Sequence, residues 1–336
     1  MKILINCNLP FALAHGGMQT QVEQTQAALQ SIGLEVEPLR WWDDSQKGDL
    51  IHNFGVAPLE HIEMARAHKN VPVVMTNLFS ATCNRTNFRL RVQGWIVRMI
   101  LKLPFGEGIK RQLAWRSFNA CAHNVVGLEA ERRVLELVYA VPAEQISVVP
   151  LGLSEVFLKA QPGNRSGDYL VTVGTIREQK NCIPLAQLAR RAQAPALFVG
   201  KPYSENDPYW SEFLKFVDGK WVRHQPHVAD PVAMIALLQQ ARGAVVMSQY
   251  ENWCLVAHEA AACGLPLLLP PLKWARERFG TQAHYFTGNL NRDAAVLREF
   301  YERCPSLPAP RIRLYSWTEV ADRLKTVYER VLSTSR

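Results

Sequence analysis

The stretch "GAVVMSQYENWCLVAHEAAACGLPLLLPP", residues 243–271, decides the fold. Its first part, "GAVVMSQ", is a short continuous apolar run, the pattern of a strand buried on both faces. Gln249 to Asn252 form a turn. "CLVAHEAAAC" reads as a helix that ends at Gly264, and Pro266 forbids its continuation. "LPLLLPP" returns as a second buried strand, so the stretch is one βαβ unit. It carries two carboxylates, Glu251 in the turn and Glu259 inside the apolar run of the helix. An unpaired buried carboxylate is costly, so Glu259 needs a partner or a proton.

The same alternation extends outward in both directions. Before the stretch come "YLVTVG", a helix through "CIPLAQLARRAQ", and "ALFVG". Near the start, "KILIN" is followed by a glycine loop and by "MQTQVEQTQAALQSIG", with Val22, Thr25, Leu29 and Ile32 at helical spacing and Gly33 as the stop. "LEVEPL", "DLIHNFG", "VPVVMTN" and "ISVVPLG" read as further strands. Between the two series lies "AQPGNRSGD", residues 160–168, with linker composition. The last segment, "SWTEVADRLKTVYERVL", begins at a Ser316 cap and places Val320, Leu324, Val327 and Val331 on one face of a helix. The expected fold class is α/β, two doubly wound Rossmann-like domains facing a cleft. A length of 336 residues suits two such domains, residues 1–155 and 156–315.

Composition narrows the function classes. The chain is 48% hydrophobic and 20% charged, as ordinary globular proteins are. A net charge of +8 is compatible with nucleic acid, an anionic membrane face or a phosphorylated small molecule. Seven scattered cysteines without a Cys-x-x-Cys argue against a disulfide scaffold or zinc site and for a reducing, cytoplasmic setting. "MKILINCNLPFALAHGG" reads as a first strand rather than a signal peptide. No run reaches the roughly 18 to 20 apolar residues of a transmembrane helix.

Ligands of open α/β sheets bind beyond the carboxyl ends of the strands, so the loops there carry the chemistry. In "AHGGMQT", Gly16 and Gly17 open a helix, where backbone N–H groups and the helix dipole favour an anion; a plain tight turn is the alternative. In "VGTIREQKN", residues 173–181, Arg177 and Lys180 offer compact positive charge for a diphosphate; a solvated basic loop is the alternative. At the third loop, the amides of Trp253, Cys254 and Leu255 lie at a helix N-terminus, suited to phosphate oxygens. Glu251 can reach a sugar hydroxyl, and Glu259, about two turns on, suits a ribose diol. An internal salt bridge from Glu259 to Arg223 or Arg276 is the alternative. Amides, cations and diol acceptors at equivalent edges are jointly what a nucleoside diphosphate sugar requires.

The chain resembles GT-B glycosyltransferases of the retaining family-4 type. The resemblance rests on "GGMQTQVEQTQAALQSIG", "ISVVPLGLSEVF", "VGTIREQKN", "ENWCLVAHEAAACGLP" and "YSWTEVADRLKTVYERVL", with the Glu251–Glu259 spacing the most specific. It implies that Glu251 sits at the donor sugar, Glu259 binds the ribose, and Lys180 neutralises the diphosphate. Arg177 would be the second cation, since Thr175 stands where the family has arginine. The Gly16–Gly17 loop would lie over the phosphates, and the 316–336 helix would rejoin the first, acceptor-side domain. Glu251-Asn252-Trp253-Cys254 departs from the family's Glu-Gly-Phe/Trp-Gly, and Asn77 stands near the place of a histidine. The implied reaction is hexosyl transfer with retention from a nucleoside diphosphate sugar to a glycan or lipid-linked acceptor, in surface polysaccharide or lipopolysaccharide synthesis. Glu251 and Lys180 would be catalytic, with no cofactor and no metal; Asp43–Asp44 reads as a surface loop.

Residues 84–116 are basic and interleaved with apolar side chains. Arg85, Arg89, Arg91, Trp95, Arg98 and Lys102 form an acceptor or membrane patch in one reading, with the protein peripheral at a membrane. A helix with a buried apolar face and a solvated basic one is the other reading. No nucleic-acid module is present, so no nucleic-acid partner is expected. A nucleotide-sugar epimerase and a non-catalytic glycosyltransferase-like binding subunit remain as alternatives to a transferase.

Overall fold

The computed structural model describes residues 1–9, 11, 16–104 and 106–334, apart from the side chains of Ile109 and Arg111. The chain divides into two compact units, one of Met1–Phe11, Met18–Gly152 and Trp317–Arg336, the other of Ala12–Gly17 and Leu153–Ser316.

The first unit holds β1 (Lys2–Cys7), β2 (Glu35–Pro38), β3 (Leu50–Phe54), β4 (Val73–Thr76), β5 (His123–Val126) and β6 (Ile146–Val148), in the order β2-β1-β3-β4-β5-β6. All pairings are parallel. β3 and β4 are buried at every position, because helices cover both faces of the sheet. Polar residues inside this sheet are satisfied. His52 Nδ1 lies 2.6 Å from the Tyr328 hydroxyl and Nε2 2.7 Å from Thr76 Oγ1. Burial pushes the His52 imidazole down to about 3, so it stays neutral. The fully buried Glu131 carboxylate accepts from the backbone N–H groups of Phe79 (2.9 Å) and Gly127 (3.0 Å), tying together the loops after β4 and β5. The helix Trp317–Thr334 buries Trp317, Val320, Ala321, Leu324, Val327, Tyr328 and Val331 in this unit's core, the face its periodicity indicated.

The second unit holds β7 (Leu170–Val173), β8 (Ala196–Val199), β9 (Val222–Gln225), β10 (Gly243–Val245), β11 (Leu267–Leu269) and β12 (His284–Tyr285), in the order β12-β11-β10-β7-β8-β9. Renumbered within the unit this is 3-2-1-4-5-6, the doubly wound dinucleotide-binding order. Its direction of winding reverses between β7 and β10; in the first unit it reverses between β1 and β3. Loops that leave adjacent strands at such a point diverge to opposite faces and leave a crevice beyond the strand ends. The observed class is α/β, with two Rossmann-like units. Among the described residues, no helix is long and apolar enough to cross a membrane.

Candidate functional site

The loops after β7 and β10 meet at the switch point of the second unit. Gly174 ends β7 with φ +154°, and its carbonyl oxygen would lie 1.9 Å from a Cβ at Gly200, just after β8. Gly200 is therefore fixed by close backbone approach, as well as by its own φ of +151°. The chain then turns through Glu178–Lys180 to Asn181, at φ +52°, before the helix Cys182–Ala192.

Four hydrogen bonds join this turn to the loop after β10. Gln249 N donates to Gln179 O (2.8 Å) and Gln179 Nε2 to Tyr250 O (3.1 Å). Asn181 Nδ2 donates to Met247 O (2.9 Å), and Gln249 Nε2 to Asn181 Oδ1 (3.2 Å). On this frame Lys180 Nζ forms an ion pair with Glu251 Oε1, which also accepts from Ser248 Oγ at 2.8 Å. Burial opposes the charge on Lys180, but the adjacent Glu251 carboxylate outweighs it and raises the ammonium pKa. The structure thus brings together Lys180 and Glu251, residues 71 apart in the chain.

Arg177 lies on the same turn but points elsewhere. It donates to the Tyr203 hydroxyl (2.8 Å) and to Gln179 Oε1, and its guanidinium sits 5.3 Å from the Tyr203 ring centroid. Cys254 takes a left-handed conformation (φ +56°) and caps the helix Leu255–Ala262, which begins four residues after Glu251. Beneath this turn the Trp253 ring is buried between two partners. It stacks on His258, centroids 4.7 Å apart and planes within 6°, and Arg278 lies 4.3 Å from its centroid. Burial pushes His258 down to about 3. As a neutral ring it donates from Nδ1 to Cys254 O (3.0 Å) and accepts at Nε2 from Arg278 Nε (3.3 Å). Trp253 can therefore meet a ligand through its backbone only, and its ring holds the turn from below.

Glu259 is half-buried on the same helix. Among the described residues its carboxylate has no hydrogen-bond donor and no ion-pair partner. Burial pushes its pKa up to about 7. Neither arginine considered as its internal partner reaches it. Arg223 is bidentate to Asp168, both contacts 2.7 Å, and Arg276 sits 3.6 Å over the Tyr285 ring centroid.

Gly16 and Gly17 stand at the start of the helix Gly17–Ser31, which follows β1 in the chain, and both group with the second unit. Gly16 has φ +150°, and a Cβ at either glycine would meet nothing within 4 Å. His15, in the same loop, lies outside the described residues. Asn77 is fully buried after β4, its amide donating to Asn124 Oδ1 at 2.9 Å, so its side chain does not reach the surface. Of the basic segment, Arg85, Arg89, Arg91, Trp95, Arg98 and Lys102 are exposed on or beside the helix Asn87–Lys102. Lys110 is instead buried and paired with Glu107 at 2.8 Å, and Arg116 pairs with the same carboxylate at 3.0 Å.

Sequence reasoning missed Ser248, Gln179 and Tyr203, which hold Glu251, the loop frame and Arg177. Their signal was position alone: each lies within a few residues of the carboxyl end of a strand.

No protein-family model matches the sequence, and no curated protein does. Solved structures do match over nearly the full length. Sucrose-phosphate synthase from Thermosynechococcus elongatus aligns with a TM-score of 0.68 at 15% identity, covering 99% of each chain. HepE from Anabaena, in complex with UDP-glucose, aligns at 0.63 and 15% identity over 99% of each chain. The lipopolysaccharide outer core galactosyltransferase WaaB aligns at 0.65 and 12% identity, over 98% of this chain and 100% of that one. These neighbours are GT-B glycosyltransferases, and the chain has their fold of two Rossmann-like units.

Proposed function

We propose that the chain is a glycosyltransferase that moves a hexosyl group from a nucleoside diphosphate sugar to a hydroxyl of a glycan or lipid-linked acceptor, with retention of anomeric configuration. The observation that carries this reading is the Lys180–Glu251 pair, set at the β7/β10 switch point, together with a half-buried Glu259 on the following helix that has no partner among the described residues. Neighbours of the same fold were solved with UDP-glucose and UDP, and one is a lipopolysaccharide galactosyltransferase, which supports a sugar nucleotide as donor and a surface glycan as acceptor.

The transition state of such a transfer is oxocarbenium-like, and negative charge grows on the leaving diphosphate. Lys180 and the amides of Trp253, Cys254 and Leu255 are the donors that would meet that charge, with Arg177 as the second cation once it leaves Tyr203. Glu251 would hold the donor sugar and Glu259 the ribose hydroxyls. Gly16 and Gly17, at the start of the Gly17–Ser31 helix, would form a further anion-binding turn. These groups supply the required charge, so transfer is expected to proceed in the presence of a chelator.

The test is a thermal-shift and calorimetric screen of uridine, guanosine and adenosine diphosphates and their sugars, followed by turnover of the best donor. Lys180→Gln is expected to lower turnover by about 10²–10³ while the variant stays folded. Turnover near that of the parent chain would overturn the assignment. Donor binding without hydrolysis or transfer to any glycan would instead indicate a binding subunit.

A further inference from the structure

The helix Asn87–Lys102 buries one face and leaves a second apolar face uncovered. Leu90, Gly94 and Val97 point inward, and Gly94 lies so close to the helix Glu129–Tyr139 that a Cβ would meet Leu137 O at 2.1 Å. This contact already satisfies what an amphipathic helix needs in order to fold against its unit. Phe88, Val92, Trp95, Ile96 and Met99 are nonetheless 75%, 43%, 60%, 45% and 47% exposed. At ~100° per residue these five fall within an arc of about 100°, opposite the buried face. Scattered exposed apolar residues need no explanation, but a continuous stripe of this kind marks a binding surface.

Charge identifies the occupant. Arg91, Arg98 and Lys102 run along one flank of the stripe and Arg89 along the other, all exposed. Among the described residues no acidic side chain pairs with any of them. A stripe of Phe, Trp, Ile and Met between two rows of basic groups matches the layered boundary of a bilayer, with acyl chains in the middle and anionic headgroups on either side. Trp95 at the centre has the ring type that favours that boundary.

We propose that this outer face of the Asn87–Lys102 helix docks the protein on an anionic phospholipid membrane, its apolar stripe inserted at the headgroup level and its arginines and Lys102 on the lipid phosphates. The inference is independent of the transferase reading, because it concerns binding without turnover.

The experiment is flotation of the full-length chain with vesicles of phosphatidylcholine alone and of phosphatidylcholine containing phosphatidylglycerol. Binding to the anionic vesicles only, weakening with salt, is expected. Trp95→Ser with Phe88→Ser should reduce the partition coefficient by roughly tenfold or more. Arg91→Gln and Arg98→Gln should each reduce it about fivefold. The thermal midpoint of each variant should match the parent chain, since the side chains are exposed, and this keeps misfolding from imitating lost binding. Failure of the parent chain to float with anionic vesicles, or unchanged flotation of the Trp95→Ser and Phe88→Ser double variant, overturns the proposal. So does a parent dimer that this double variant converts to monomer, which would make a second copy of the chain the occupant of the stripe.

Discussion

Replacing Glu259 by glutamine tests whether an unpartnered carboxylate in an apolar helix is there for a ligand. In the ligand-free chain desolvation alone holds its pKa at about 7, against an ordinary 4.5. A group raised in this way favours the native state when protonated. Its contribution is fully present below the unfolded value near 4.5 and is lost as pH rises through about 7. Above that pH the parent chain bears a cost of up to about 3 kcal/mol for the buried charge. Glu259→Gln removes the charge and keeps the shape, so it is expected to stabilise the ligand-free protein at pH 8 by ~1–3 kcal/mol. Binding should move in the opposite direction. Ribose hydroxyls donate to the ionised carboxylate, so below pH 7 the ligand must bind a site whose carboxyl is mostly protonated. Donor affinity should then fall about tenfold between pH 8 and pH 6, and the glutamine variant should bind more weakly with a flat profile. The assay is calorimetric titration with the sugar nucleotide. A nucleoside diphosphate would confound it, because a terminal phosphate has its own ionisation near 6. A flat profile in the parent chain, or undiminished affinity in the variant, would refute the reasoning.

Two further outcomes follow from packing. Gly200→Ala places a Cβ 1.9 Å from the Gly174 carbonyl oxygen and forces a non-glycine residue to φ +151°; a loss of about 2–4 kcal/mol in urea denaturation is expected, together with weaker donor binding, since the displaced Gly174 loop carries Lys180. Leu324→Ala empties a 3% exposed position in the first unit's core and should cost ~2–5 kcal/mol by the same measurement, leaving donor affinity at saturating fold unchanged.

Which elements the sequence revealed depended on where they lie in the sheets. β4, β10 and β11 are buried central strands, and burial on both faces leaves a continuous apolar run that is easily read. β9 lies at a sheet edge, and its "VRHQ" is only half-covered beyond Val222, so its polar residues looked like loop. β12, at the other edge, is two residues long. β5 is central but starts with His123 and Asn124, which are tolerated there because Ser147, Asn77 and the Phe118 carbonyl satisfy them. Those partners lie up to 47 residues away, beyond the reach of local pattern. The site divided in the same way. The loops of the candidate site were legible because ligand-binding loops of open α/β sheets leave the carboxyl ends of strands. The pairing of Lys180 with Glu251, and the parking of Arg177 on Tyr203, were not, because strand order decides which loops become neighbours.

On the proposed reading, the charges at the second unit's switch point explain why two carboxylates can stand near a site for a diphosphate. The Lys180–Glu251 pair contributes no net charge, and the pairing holds a long, otherwise mobile lysine chain in place before a ligand arrives. Glu259 is largely protonated below about pH 7 and there adds little negative charge. Arg177 is held by a phenol and an amide and by no carboxylate among the described residues, so its guanidinium is the cation of this frame that no acid ties down. The amides at the start of the Leu255–Ala262 helix add to that sign. On the proposed reading, the environments of the two glutamates separate their roles: the one compensated in place is preorganised at the cation, and the one without a partner among the described residues would be completed by the ligand.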